Sequence, residues 1–179
     1  DNFGANTGAV SPYMIKSLDA KYVIVGHSDN RSEGDSEAML KSKVENVLKN
    51  KMKVIFCIGE NKKDKLKKRT FKVLKRQISN SLDRKFNHRN IIVAYEPIWS
   101  IGTGLIPTND DLIKTTLFIK KTLRSIFKTN YSPTVLYGGS VDGSNIDQFK
   151  NLQQINGFLI GGASKSDKKF IDIIKNYYK

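Results

Sequence analysis

Five short apolar runs, each followed by glycine or a polar group, constrain the fold of this 179-residue chain more than any other feature. Each run is continuously apolar and rich in valine, isoleucine or aromatic residues, which is typical of a strand covered on both faces of a parallel sheet. The runs are KYVIVGHS (21–28), KVIFCIGE (53–60), IIVAYEP (91–97), TVLYGGS (134–140) and GFLIGGAS (157–164).

Amphipathic segments separate these runs. Apolar residues recur at helical spacing in four long segments and one short one: 36–50, 66–82, 108–127, 167–178 and, the short one, 144–152. Thr108 and Ser166 stand where helix N-caps are expected. Strand alternating with helix predicts right-handed βα units and an all-parallel α/β sheet, open or closed, in a single domain over 1–179.

The chain carries a formal net charge of +14, from 31 lysines and arginines against 17 aspartates and glutamates. Such an excess admits affinity for nucleic acid, anionic lipid or an acidic substrate. The lysines are densest in 61–77, where four apolar residues recur at roughly helical spacing: Leu66, Val73, Leu74 and Ile78. This pattern favours the solvated face of an amphipathic helix, and no specific nucleic-acid partner is predicted.

The single cysteine, Cys57, lies inside an apolar run, so an intrachain disulfide is excluded and a small core residue is predicted. No apolar stretch approaches the length of a membrane span and no secretory signal opens the sequence, so a cytoplasmic protein without a membrane partner is expected. Because the sequence begins at Asp1 in a glycine-rich stretch, a piece of a longer chain is expected.

Polar side chains and glycines follow the apolar runs. Because the carboxyl ends of parallel strands meet at one edge of a sheet, these residues are expected to converge there. The set comprises His27, Ser28, Glu60, Glu96, Ser140 and the glycine pairs 138/139 and 161/162. Glu96 is the most informative member, since a carboxylate at the end of a buried strand is costly to desolvate unless it has a partner or a task.

Two of these residues admit two interpretations each. His27 is explained at least as well by ligand contact as by a satisfied core histidine. Glu60 admits a catalytic role, but its basic surroundings favour a structural pairing with a lysine or a backbone N–H. Metal-ligand spacing is absent, and Ser140 has no neighbouring base in sequence, so neither a metal site nor a serine hydrolase is predicted.

Glycines after the last two runs point to an anion site. The GTG of 102–104 lacks the third glycine of a dinucleotide fingerprint, and no Gly-Lys-Ser/Thr phosphate loop occurs. Gly161 and Gly162 open backbone N–H groups at a helix start, and they follow Gly139 and Ser140 on the preceding run. Taken alone, Gly161 and Gly162 are better explained by a tight turn that needs positive φ. Taken together with Gly139 and Ser140, they favour phosphate binding.

The stretch PIWSIGTG (97–104) after Glu96 places proline and glycines on either side of a bulky apolar tip. This composition is expected of a loop that moves as a lid and excludes water from a site. A static loop that packs Trp99 on the surface is the alternative.

Five strings, in this order and with these separations, closely resemble the triosephosphate isomerase family: YVIVGHSDNR, VIFCIGE, AYEPIWSIGTG, LYGGS and LIGGAS. The likeness runs the whole length of the chain, which resembles the family's C-terminal portion from the loop after strand three. The resemblance implies a TIM (β/α)8 barrel, here a partial barrel with about five parallel βα units, strands four to eight. It implies a homodimeric isomerase of glycolysis and gluconeogenesis that interconverts dihydroxyacetone phosphate and D-glyceraldehyde 3-phosphate without a cofactor.

The resemblance also implies roles for single residues. Glu96 resembles the base that moves the proton between two substrate carbons, and His27 the neutral electrophile that polarises the carbonyl and enediolate oxygens. Phosphate ligands are implied at four positions: Gly102, Ser140, Gly161 and Gly162. The lid is implied at 98–104, and Thr7 resembles the residue that reaches the partner subunit's site.

The sequence departs from the family pattern in several places. A complete barrel takes about 250 residues and eight strands, and no lysine here matches the family's Asn and Lys pair, whose lysine binds the phosphate. Asp29 and Asn30 stand in the acidic and first basic places of the usual GHSERR, Ala9 replaces a glutamate, and Leu105 replaces a common lysine. Since that glutamate and the residue matching Asn30 tend to pair across the dimer, both ends of one interface ion pair are absent.

Two hypotheses from different classes follow. In the first, the chain is an isomerase sequence that is active only when the missing segment is supplied by the same parent chain or by a second polypeptide. In the second, it is a catalytically incompetent fragment or basic binding module derived from that enzyme. Open sheet edges and an uncovered barrel interior predict that these 179 residues alone are poorly soluble and inactive.

Overall fold

A computed structural model describes residues 4, 5 and 7–179. Its centre is a parallel sheet of four strands in the order β1-β2-β3-β4. The strands are β1 (Tyr22–Val25), β2 (Lys53–Ile58), β3 (Ile91–Tyr95) and β4 (Val135–Tyr137). Each strand ends where its predicted run reaches glycine or a polar group, as at Gly26, whose φ of +79° is incompatible with continuing β1.

Helices occupy the connections between the strands. They are α1 (Pro12–Ser17), α2 (Ser28–Ser32), α3 (Glu37–Lys49), α4 (Lys62–Leu66), α5 (Thr70–Ser81), α6 (Asn109–Phe127) and α7 (Asp167–Tyr178), with 3-10 turns at His88–Asn90, Ile146–Phe149 and Gly162–Lys165. The predicted N-caps are confirmed, because Thr108 accepts the N–H of Asp111 at 3.2 Å and Ser166 accepts that of Lys169 at 3.4 Å. None of the described helices combines the length and the apolar character needed to cross a membrane.

The fifth apolar run pairs with the sheet without forming a full strand. Phe158 makes an isolated parallel bridge to Tyr137 of β4. The Tyr137 N–H donates to the Gly157 carbonyl at 3.0 Å, and the Leu159 N–H donates to the Tyr137 carbonyl at 2.9 Å. The architecture is therefore four parallel strands extended by one bridged segment, which agrees with a partial barrel of the α/β class.

Three long helices cover one face of the sheet. α3 packs on β2 and α5, and α6 packs on α5 and β4. The core between the helices and the sheet contains large side chains that are at most 2% exposed: Leu40, Val44, Val54, Phe56, Leu74, Ile78, Ile119 and Leu123. This layer fixes the directions in which the carboxyl ends of β2, β3 and β4 point.

The lysine-rich segment forms two helices instead of the single helix predicted over 66–82. α4 ends at Leu66, and Lys68, with a φ of +54°, separates it from α5. Val73 and Leu74 of α5 are buried, as an amphipathic helix requires, whereas Leu66 is 74% exposed. The prediction is therefore wrong for the first turn and confirmed for the buried face of α5.

The opposite face of the sheet is apolar and only partly covered. Ile24, Ile55 and Ile92 are register partners on β1, β2 and β3, so their side chains lie on one face. None of the three is buried, and Ile24 is 49% exposed. Among the described residues, β1 also pairs with a strand on one side only.

Candidate active site

Most of the residues expected to converge at the carboxyl ends of the strands line one cavity there, but Ser28 and Glu60 do not. This cavity has a volume of about 590 Å³. The predicted residues that line it are His27, Glu96, Gly102, Ser140, Gly161 and Gly162. The topology of the sheet thus brings together groups that lie far apart in the sequence.

Glu96 directly follows β3 and is held at the edge of the cavity. Its backbone N–H donates to the Ile58 carbonyl at 2.7 Å, which continues the pairing of β2 and β3 beyond the strands. The residue is buried, with 3% exposure. Two glycines make room for it, because a Cβ on Gly59 would meet the Glu96 carbonyl oxygen at 1.8 Å and one on Gly138 would meet Glu96 Cγ at 2.8 Å. Larger residues at either position would displace the carboxylate.

Burial raises the pKa of Glu96 above its ordinary value, because desolvation penalises the charged form. His27, the Cys57 thiol and Arg31 oppose this shift without cancelling it. Burial also raises the pKa of Cys57, so the thiol stays protonated beside the carboxylate. A carboxylate with a raised pKa accepts a proton more readily than one in water, as proton abstraction from carbon requires.

The ring of His27 caps the N-terminus of α2. Its Nδ1 accepts the backbone N–H of Asp29 at 3.3 Å, and its Nε2 lies 3.7 Å from Oε1 of Glu96. The Asp29 carboxylate lies 3.4 Å from Nδ1 but is largely exposed to water. We therefore assign the tautomer from the backbone N–H, which can only donate. The neutral ring then carries its hydrogen on Nε2, on the side of Glu96.

Arg31, which sequence reasoning missed, fixes the turn that carries His27. Its Nε donates to the Gly26 carbonyl at 2.7 Å, and its Nη2 donates to the Cys57 carbonyl at 3.0 Å. These bonds join the carboxyl ends of β1 and β2. The imidazole is thereby held in a defined position relative to Glu96.

Gly161 and Gly162 are exposed and line the cavity. A Cβ on either residue would meet no atom within 4 Å. Neither residue has a positive φ, and that of Gly161 is −91°. The alternative explanation of this pair, a turn that needs positive φ, is therefore wrong.

The backbone N–H of Ser140 is engaged by the loop that follows Glu96. It donates to Oγ of Ser100 at 3.2 Å, and the Ser100 hydroxyl donates to the Leu105 carbonyl at 2.5 Å. Ser100, another residue that sequence reasoning missed, is fully buried and also lies 3.1 Å from the Tyr137 hydroxyl. The Ser140 N–H thus joins this part of the cavity to the loop 97–104.

Trp99 anchors the loop 97–104 to a second buried carboxylate. The indole Nε1 donates to Oε1 of Glu60 at 2.9 Å, and the Tyr95 hydroxyl donates to the same carboxylate at 3.2 Å. The prediction that Glu60 has a structural partner is confirmed. The predicted kind of partner, a lysine or a backbone N–H, is wrong, because the donors are the Tyr95 hydroxyl and the Trp99 indole. Gly102 has a φ of +68°, which glycine adopts without strain. Movement of this loop as a lid stays a prediction.

Two residues singled out from the sequence lie away from the cavity, and two that were not singled out line it. Thr7 is exposed and does not line the cavity, so its role at a dimer interface stays a prediction. Leu105 is 53% exposed, and nothing in the structure explains it in place of lysine. Two charged residues of α7 that sequence reasoning missed, Lys169 and Asp172, line the cavity. They reach it by tertiary packing, and no local motif marks them.

Known proteins are similar to this sequence over nearly its whole length. The sequence profile of the triosephosphate isomerase family matches residues 1–177. The triosephosphate isomerase of Thermodesulfovibrio yellowstonii is 38% identical over 177 residues, which cover 98% of this chain and 72% of that protein. The triosephosphate isomerase of Rhizobium meliloti is 38% identical over 176 residues, which cover 97% of this chain and 69% of that protein.

The fold is shared as well. A crystal structure of triosephosphate isomerase from Bartonella henselae matches with a TM-score of 0.89 at 33% identity, covering 100% of this chain and 73% of that one. The partial-barrel α/β fold predicted from the alternating pattern is therefore confirmed. Together, the profile, the relatives and the fold identify the chain as a member of the triosephosphate isomerase family.

Proposed function

We propose that the native polypeptide carrying this sequence interconverts dihydroxyacetone phosphate and D-glyceraldehyde 3-phosphate through an enediolate. The observation that carries the proposal is the 3.7 Å separation of His27 Nε2 and Glu96 Oε1 in a cavity that the open glycines 161/162 also line. The reaction requires a base, a hydrogen-bond donor and an anion site around one small substrate. The relatives from Thermodesulfovibrio yellowstonii and Rhizobium meliloti are both named triosephosphate isomerase.

Glu96 acts as the base in this proposal. Its carboxylate removes a proton from the carbon beside the carbonyl, the C–H electron pair forms the carbon–carbon double bond, and the carbonyl oxygen takes the negative charge. His27 donates from Nε2 to that oxygen and stabilises the developing charge. Glu96 then returns the proton to the former carbonyl carbon, while the hydroxyl proton of the other carbon passes to the negatively charged oxygen. The first carbonyl thereby becomes a hydroxyl and the second oxygen becomes the new carbonyl, so the redox change stays within the substrate.

Backbone N–H groups of Gly161 and Gly162, with those of Gly102 and Ser140, are proposed to hold the phosphate. Because the Ser140 N–H donates to Ser100 in this structure, phosphate binding would release Ser100 and free the loop 97–104 to close. Closure would exclude water and protect the enediolate from losing its phosphate. The family resemblance extends the proposal to a cytoplasmic homodimer of glycolysis and gluconeogenesis, with Thr7 at the dimer interface.

The test is turnover of dihydroxyacetone phosphate by the purified native polypeptide, followed in a coupled dehydrogenase assay. We expect turnover that Glu96→Gln abolishes. A folded native polypeptide without turnover would refute the proposal. The competing hypothesis, a basic binding module, predicts instead binding to polyanions that weakens steeply as salt rises.

The 179-residue chain by itself is a separate case. Its sheet face at Ile24 and Ile55 is only partly covered, and exposed apolar faces and strand edges promote aggregation. We expect this chain alone to be poorly soluble and to show negligible turnover. A soluble monomer with near-normal rates would contradict this expectation.

A further inference from the structure

Lys169 is the one lysine or arginine that lines the active-site cavity, among the residues that the structure describes. Three carboxylates line the same cavity: those of Glu96, Asp142 and Asp172. Apart from Lys169 and His27, every acidic or basic side chain of the lining is a carboxylate. Without Lys169, a phosphate dianion entering the cavity would be repelled by every formal charge of the lining that the described residues provide.

The two aspartates of the lining already serve the packing of the protein. The Asp142 carboxylate accepts the N–H and the hydroxyl of Ser144 at 2.8 and 2.6 Å. Asp172 packs against the same loop so closely that a Cβ on Gly143 would meet its Oδ2 at 1.9 Å. These contacts explain why acidic residues stand beside a predicted anion site.

Lys169, by contrast, forms no ion pair within the described part of the chain. It lies exposed in the first turn of α7, where Ser166 caps its backbone N–H. A cation is disfavoured at a helix N-terminus, where the dipole is positive, so the stability of α7 does not explain a lysine here. Lys169 lines the cavity together with Asp142 and Gly143 of the loop 138–144.

We propose that Lys169 is a substrate-binding residue that supplies the positive charge for the phosphate group of the triose. It neutralises the dianion beside the backbone of Gly161 and Gly162, and it selects phosphorylated trioses over neutral ones. The inference rests on the proposed function, from which the phosphorylated substrate is taken.

Binding of sn-glycerol 3-phosphate tests this role, because that probe carries the phosphate but has no carbonyl to isomerise. Its Kd for the native polypeptide is measured by isothermal titration calorimetry for the wild type, Lys169→Met, Lys169→Arg and the control Lys168→Met. Lys168 lies in the same turn of α7 and is exposed, but it does not line the cavity. We expect Lys169→Met to raise the Kd about tenfold or more through loss of a charge-assisted hydrogen bond, and the other two variants to stay within about threefold of the wild type.

Equal Kd values for Lys169→Met and Lys168→Met would overturn the inference, and so would a folded wild type that does not bind the probe. Thermal unfolding of each variant establishes that it is folded. In the turnover assay, Lys169→Met should raise KM by about tenfold and leave kcat within about threefold, whereas a purely structural role would lower stability and kcat together.

The two proposals fail separately. A polypeptide that binds the probe through Lys169 but does not isomerise triose phosphates would refute only the proposed function. A polypeptide that isomerises them with an unchanged KM in Lys169→Met would refute only the role of Lys169.

Discussion

The carboxyl ends of β2 and β3 each carry a buried glutamate, and the two glutamates differ in what surrounds them. Glu60 is 0% exposed and Glu96 is 3% exposed, so depth does not distinguish them. The Glu60 carboxylate accepts hydrogen bonds from the Tyr95 hydroxyl and the Trp99 indole. The Glu96 carboxylate instead faces a cavity, with His27 Nε2 at 3.7 Å.

The difference between the two sites lies in hydrogen-bond donors. Two neutral donors hydrogen-bond to the side chain of Glu60 and fix its position, so this residue anchors the loop 97–104. Burial without comparable donors raises the pKa of Glu96 and leaves an acceptor that a substrate in the cavity can reach. A buried carboxylate is thus structural or reactive according to the donors around it.

Glu96→Gln is expected to separate the two glutamates most sharply. Because an amide cannot take up the substrate proton, we expect kcat of the native polypeptide to fall by about a thousandfold or more in the coupled assay. Glu60→Gln is the matched control, the same substitution one strand away, and should keep kcat within about tenfold. A Glu96→Gln variant that retained most of its kcat would remove this residue from the mechanism.

The order of the two variants should reverse when stability is measured. Oε1 of Glu60 accepts from both Trp99 and Tyr95, so the amide oxygen of Glu60→Gln can keep both bonds. A neutral amide is a weaker acceptor than a carboxylate, however, and its NH2 group replaces the second oxygen that accepts from the Tyr95 hydroxyl. We expect the free energy of unfolding in urea to fall by about 1–3 kcal/mol. An unchanged value would show that Glu60 is not an anchor.

The pH dependence of stability sharpens the contrast at Glu96. Below the ordinary glutamate pKa of about 4.3 the side chain is neutral in both the folded and the unfolded chain. As the pH rises through the raised pKa of the folded state, the unfolded chain binds fewer protons, so the folded state loses stability. We therefore expect the Tm of Glu96→Gln to exceed that of the wild type at neutral pH, and the difference to shrink toward about pH 4. A difference that did not vary with pH would be inconsistent with the raised pKa.

Trp99→Phe should have the smallest effect, since it removes one hydrogen bond to Glu60 and keeps an aromatic ring. We expect the free energy of unfolding to fall by about 1 kcal/mol. If the bond holds the loop, amide hydrogen exchange across 98–104 should also become faster in the variant. Unchanged exchange would favour the static loop over the lid.

The site could be predicted from the sequence largely because its members follow from strand direction. His27, Glu96 and Gly161 each follow an apolar run that pairs in parallel, so the pattern along the chain determines the edge at which they meet. The α/β class followed from the same alternation of runs and amphipathic segments.

The features that could not be predicted depend on tertiary packing. Glu60 takes its donors from a neighbouring strand and loop, although lysines follow it in the sequence. Lys169 reaches the cavity because α7 packs on the loop of Gly143, where Asn176 Nδ2 donates to the Gly143 carbonyl at 2.8 Å. The hydroxyl of Ser100 finds its partners in Tyr137 of β4 and in Ser140, which follows that strand. No local pattern encodes these contacts.

The most direct test of the contrast between the two glutamates is an NMR titration of the native polypeptide labelled with ¹³C at the glutamate carboxyl groups. The resonance that disappears in Glu96→Gln belongs to Glu96. We predict that it titrates above the ordinary glutamate value of about 4.3, because burial disfavours its charge. Titration at or below that value would contradict the prediction and would make Glu96 a stabilised anion instead of a base.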